Sequence, residues 1–185
     1  MVAHMKGAAV SARLDWVKRF HGDRWAEYQA ALGAGTRADL AQGVIKTEWI
    51  PVPVVIDILL TADRLFGKGD LAVCKAMGAH AAEVNLPTLY KLFYRVGSVE
   101  YILGKAALLW PLTHDTGEAA MIRVAPKHAR YEVRGYGQPH LAVCKSIEGF
   151  MHKTLEMTGV TVKAIAETEC VNRGGAICAY EARWG

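Results

Sequence analysis

The sequence predicts an α+β fold, with several N-terminal helices packed on a four-stranded antiparallel sheet and a C-terminal half that runs β-β-α-β-β. Two observations predict it. Up to Trp110 the apolar residues recur mostly at three- and four-residue steps, the period of a helix face. After Pro111 the pattern changes to short alternating runs separated by turn residues and interrupted by one further helical stretch. The 185 residues are 52% hydrophobic and 22% charged, which is enough apolar material for one core and unlike the composition of disordered chains.

The first helix is expected over 8–20, where Val10, Leu14, Trp16, Val17 and Phe20 share a face. Gly22 breaks it, and Asp23 is a cap for a second helix from Arg24 to Leu32. A short helical turn is expected over 37–42, punctuated by Gly33, Gly35 and Gly43. Pro51 and Pro53 open a nearly buried helix over 54–66, which Gly67 and Gly69 stop. Asp70 caps the next, to about Val84. Pro87 opens another through Tyr94, and Ser98 caps one through Trp110. Strands follow at 118–124 and 128–135 as a hairpin with Pro126 at its turn. A helix starting at Pro139 carries Leu141, Cys144, Ile147, Glu148, Met151 and Leu155 on one face and ends before Gly159. Strands at 160–169 and 176–184, joined by a turn at 172–175, close the chain. Residues 1–48 are read as an N-terminal helical segment with a possible dimerisation role, and 49–185 as the main domain.

Several function classes are excluded at this stage. The net charge is +4, and the densest basic stretch, 123–134, reads as a solvated hairpin with acids nearby, so there is no concentrated stripe for nucleic acid. The longest apolar run, Ile50 to Leu60, contains Pro51, Pro53 and Asp57 and is too short to span a membrane. Residues 1–10 lack the continuous apolar stretch of a secretory signal, and four cysteines in a chain of this size do not suggest an extracellular disulfide framework. A cytoplasmic protein is expected. No G-x-x-x-x-G-K-[ST] or G-x-G-x-x-G motif is present.

Chemistry concentrates in the closing half. Cys144, Glu167, Cys170 and Cys178 stand in the pattern C-x22-E-x2-C-x7-C. Cys170 ends one strand, Cys178 returns on the next, and Cys144 lies in the first turns of a helix packed on the same sheet. Three thiolates and a carboxylate can close a tetrahedral metal site. The alternative is that these are buried cysteines filling space, a common use of the residue.

This region resembles the 4-vinyl reductase domain family, which includes sensor domains of phenol- and toluene-responsive NtrC-type regulators. The resemblance rests on the text CKSIEGFMHKTLEMTG at 144–159 and ETECVNRGGAIC at 167–178, and on His114-Asp115-Thr116 ahead of the first strand. The chain also resembles stand-alone myxobacterial paralogues of similar length. The resemblance implies zinc held by Cys144, Glu167, Cys170 and Cys178, with a structural rather than catalytic role. It further implies a fold related to haem–nitric-oxide sensor domains, with an apolar pocket between helices and sheet. Candidate lining residues are Trp49, Tyr90, Phe93, Tyr101, Trp110 and His114. Thr113 stands where the phenol sensors carry a Trp that holds the phenol hydroxyl, a departure that argues against phenol itself.

The function expected from this is a zinc-stabilised, non-enzymatic binding or sensor domain for a small hydrophobic molecule, acting through a protein partner or a homodimer. The alternatives are an interaction scaffold with a filled pocket, and a tetrapyrrole-related enzyme.

Overall fold

A computed structural model describes residues 2–90, 99, 105 and 107–185, with residues 87–90 described by their backbone. Strand β1 (His4–Lys6) runs directly into α1 (Gly7–Phe20). A 3-10 turn at 22–24, α2 (Trp25–Ala31) and α3 (Ala34–Leu40) follow. Then come β2 (Trp49–Pro51), α4 (Val52–Phe66) and α5 (Ala72–Tyr90). A 3-10 turn at 107–109 leads into α6 (Trp110–Thr113), the hairpin β3 (Glu118–Ala125) and β4 (His128–Arg134), and α7 (Leu141–Glu156). The chain closes with β5 (Val162–Glu169), a 3-10 turn at 171–173 and β6 (Cys178–Trp184).

The fold is α+β, as the sequence predicts. The four C-terminal strands form one antiparallel sheet in the order β3-β4-β6-β5. Alternation separates its faces, because successive residues of a strand point to opposite sides. Ala129, Tyr131 and Val133 of β4 are buried, as are Cys178, Tyr180, Ala182 and Trp184 of β6. Arg130 lies on the other face and binds Glu132 and Glu169. Tyr131 pairs with Tyr180 and Val133 with Cys178, which brings β6's cysteine to the end of the sheet nearest the start of α7.

The helical layer is built around the crossing of α5 and α7. A Cβ at Gly78 would collide with the Ser146 carbonyl, and one at Gly149 with the Lys75 carbonyl. The two backbones approach at these glycines because no side chain stands between them. Glu148 seals the crossing by accepting from Lys75 at 2.7 Å and from Lys145 at 2.8 Å. Ile58, Leu59, Met77 and Leu86 are fully withdrawn from water, and each contributes about 2 kcal/mol by that transfer. Tyr28 is fully buried and donates to the Ile58 carbonyl at 3.0 Å, so the aromatic face of α2 covers the chain's own core.

Two features depart from expectation. No helix opens at Pro87, because α5 continues through it to Tyr90. A proline costs a helix one backbone bond, and the packing of α5 outweighs that local preference. The second is a small sheet: β1 pairs with β2, Met5 opposite Ile50. The same β1 makes a bridge from Met5 to His114, and His4 binds the Asp115 carboxylate through both its backbone and its ring, each at 2.7 Å. This ties the N-terminus to the segment ahead of β3. The helix expected from Ser98 lies mostly outside the described residues, although Trp110 opens α6. Among the described residues no helix is long and apolar enough to cross a membrane.

Candidate functional site

Cys144, Glu167, Cys170 and Cys178 come together at the junction of α7 and the sheet, one donor atom from each within 4.8 Å of all the others. Cys144 Sγ lies 4.0 Å from Cys170 Sγ and 3.9 Å from Cys178 Sγ. Metal–thiolate bonds of about 2.3 Å in a tetrahedron place sulfurs roughly 3.8 Å apart. The spacing therefore suits a single small ion.

Local structure explains the convergence. Residues three apart in a regular strand face opposite sides, which would separate Glu167 from Cys170. A register shift between Glu167 and Glu169 and the 3-10 turn that follows bring them to one side. The Cys170 carbonyl then accepts from Arg173 and Gly175, each at 2.9 Å, and folds the loop back toward Cys178. Gly175 is required because a Cβ there would meet the Glu169 side chain and the Cys170 backbone. Cys144 sits in the first turn of α7, whose start is capped by His140 Nδ1 accepting from the Ala142 N–H.

The four side chains are crowded and largely withdrawn from water. The Glu167 side chain is buried, and neither carboxylate oxygen has a hydrogen-bond partner. Its nearest cation is the exposed Arg173, at 3.5 Å. The hydrogen bond to Cys178 and burial hold the Cys144 thiol far above its ordinary range, while that same bond pushes Cys178 down.

A separate cavity of about 130 Å³ lies between α1, α5, α7 and the sheet. Met121, Tyr131, Phe150, Met151 and Leu155 supply apolar walls, and Trp110, Thr113 and His114 close one side. The His114 ring stacks on Trp110 at 3.8 Å and meets Tyr136 edge-on at 5.5 Å. Its Nδ1 lies 2.9 Å from Thr113 Oγ1, and its Nε2 is buried without a partner. Burial, with the charge of Arg13 adding to it, pulls the imidazole down to about 3, so the ring is neutral at physiological pH. A larger, open groove of about 750 Å³ between α1, α2 and α3 has no unpartnered buried polar atom in its described lining.

Of the residues expected to line a pocket, Trp110 and His114 border the cavity. Trp49 lies apart from it in β2, half-exposed beneath the Lys6 ammonium. Phe93, Tyr101 and the side chain of Tyr90 lie outside the described residues. Arg13, which also lines the cavity and is buried, was not anticipated. Its position carried the signal, since it stands three residues after Val10 and four before Val17 on the buried face of α1.

No family model matches this sequence, and no curated protein matches it. Solved structures do match in fold. An H-NOX protein from S. oneidensis in the Fe(II)NO ligation state superposes with a TM-score of 0.75 at 14% identity, covering 98% of this chain and 99% of its own. An Fe(II) unliganded H-NOX mutant from K. algicida gives 0.71 at 11%, covering 98% and 97%. An oxygen-binding H-NOX domain related to soluble guanylate cyclases gives 0.65 at 11%, covering 97% and 95%. The chain therefore has the fold of the haem–nitric-oxide sensor domains over its length. This corrects the expectation of zinc as the cofactor. The solved proteins of this fold are described in iron ligation states, and zinc was carried over from a sequence resemblance that no family match supports.

Proposed function

We propose that this domain binds a small organic molecule in the cavity between helices and sheet and signals its presence to a protein partner or a second copy, without turning it over. The observation that carries the reading is the apolar cavity itself, bordered by a neutral histidine whose Nε2 has no partner. An apolar cavity of about 150 Å³ holds a benzene molecule, so 130 Å³ suits a ligand of one ring or a few branched carbons.

Haem does not fit these residues. Sites for larger ligands run to roughly 300–1,000 Å³, well above the 130 Å³ here. His114 is the one histidine among the described lining residues, and its ring is already fixed against Trp110 and Thr113. In this reading the signal is the organic ligand.

Beside the cavity, Cys144, Glu167, Cys170 and Cys178 are proposed to hold one structural metal ion, of a kind that prefers thiolate. The S···S spacing and the two unpartnered Glu167 oxygens support it. With all four positions taken by protein there is no open coordination site for chemistry. Such an ion ties α7, β5 and β6 into one unit.

Toluene titration followed by thermal unfolding and by chemical shifts of the cavity methyl groups tests the binding reading. A saturable rise in Tm with shifts at Met121, Met151 and Leu155 is expected. Unchanged Tm and spectra up to the solubility limit would show a filled pocket and move the function to the protein's surface.

A further inference from the structure

Arg13 is 5% exposed, and among the described residues no carboxylate pairs with it. Its Nη1 donates to the Ala9 carbonyl at 2.7 Å and its Nη2 to Ser146 Oγ at 2.8 Å, while Nε has no partner. A guanidinium stays charged under all ordinary conditions. Burying one without a counter-charge is costly, and buried charges are normally paired. Arg13 is also one of the residues lining the cavity, in a wall that is otherwise almost wholly apolar.

Two more unpartnered polar atoms lie beside it. Tyr136 Oη is buried without a partner, and Tyr136 stands edge-on to His114. Thr113 Oγ1 donates to the Leu109 and Trp110 carbonyls, so His114 Nδ1 donates to Thr113 Oγ1 and its Nε2 is left as an acceptor. Arg13 Nε and Tyr136 Oη are the unpartnered donors, and the first is cationic. The chemical group that satisfies a buried cation and a neighbouring donor together is an oxyanion that only accepts.

Resting on the cavity as a ligand site, we propose that its ligand is a small apolar carboxylate, its acid group taken by Arg13 and its hydrocarbon body by the walls of Met121, Phe150 and Leu155. The cavity volume limits that body to about one ring. The charge of Arg13 selects the anion over a neutral isostere, and Tyr136 Oη offers it a second donor.

The test is calorimetric titration of the full chain at pH 7 with benzoate and with benzyl alcohol, its neutral counterpart. Wild-type protein is expected to bind benzoate at least about tenfold more tightly than the alcohol. Arg13→Met is expected to cost benzoate at least about tenfold while leaving the alcohol within about threefold. Without ligand it should melt no lower than wild type, because it removes an uncompensated buried charge. Arg13→Lys keeps the charge without the planar fork and should retain a reduced preference for benzoate, which provides a readout if the Met variant does not fold. Binding of benzyl alcohol with no preference for benzoate would overturn the carboxylate and leave the cavity reading intact. Saturable binding of neither would overturn both. A lowered Tm in Arg13→Met with an unchanged benzoate preference would assign Arg13 a purely structural role and sink the proposal.

Discussion

Ser146 accepts the Arg13 guanidinium at 2.8 Å with its hydroxyl while its carbonyl presses on Gly78 of α5. One residue of α7 thus couples the helix that carries the buried charge to the helix that supports it. The cavity wall depends on that crossing staying tight.

Gly78→Ala is therefore expected to destabilise the protein by about 2 kcal/mol or more, since the new methyl meets backbone that cannot rotate away. Gly149→Ala should behave alike, its Cβ running into the Lys75 carbonyl. Urea unfolding of both variants checks this. Values near zero would mean that the two helices separate without penalty.

Cys170→Ser or Cys178→Ser should lower stability by at least about 2 kcal/mol and abolish bound metal, because a site that has lost a ligand no longer couples binding to folding. Cys74 is also buried, but its Sγ donates to the Leu59 carbonyl at 3.5 Å, apart from the clustered thiols. Cys74→Ser should leave metal content unchanged. Elemental analysis of the purified variants decides, and it also reads which ion is present. Metal-free wild-type protein would make the three clustered cysteines ordinary core residues.

Burial raises the Glu148 carboxyl, but hydrogen bonds from Lys145 and Lys75 outweigh it and hold the group below its ordinary value. A carboxyl lowered in the folded state stabilises above its unfolded pKa of about 4.3, and that contribution is lost as pH falls through the folded value. Glu148→Gln should cost about 1–2 kcal/mol at pH 7, allowing for the partial exposure of both lysines. The gap to wild type should close below about pH 4. Chemical unfolding at a series of pH values measures it, and a gap independent of pH would remove the ion pair from the account.

His114 acts in the same direction for the opposite reason. Its folded pKa, near 3, lies below the unfolded value of about 6.5. Between the two the unfolded chain binds the extra proton, so stability falls as pH drops from about 6.5 toward 3. His114→Gln lacks that proton uptake, and wild type should lose Tm relative to the variant across this window. Parallel Tm curves would place His114 in water in the folded protein.

The residues show unequally how much of this could be read in advance. The alternation of β4 and β6 and the helical face of α7 were legible because apolar periodicity follows directly from strand and helix geometry. The four clustered side chains were legible as a spacing, C-x22-E-x2-C-x7-C. That Glu167 and Cys170 reach one side was not, because it depends on a register shift that only pairing with β6 produces. Pro87 read as a helix start, since local preference says so, and packing overrode it. The pairing of β1 with β2 joins segments more than forty residues apart with three residues each, too few for alternation to register.

By itself the sequence determined the α+β class, the order of most elements and the spacing of the four side chains that cluster, because each follows from neighbours along the chain. The tertiary structure decided that Arg13 is buried with no carboxylate pairing it among the described residues, that His114 Nε2 has no partner there, and that both border one apolar cavity. Those are properties of distance and enclosure. They exist only once α1, α7 and the sheet exclude water from the same space, and no local pattern encodes how much space is left between them.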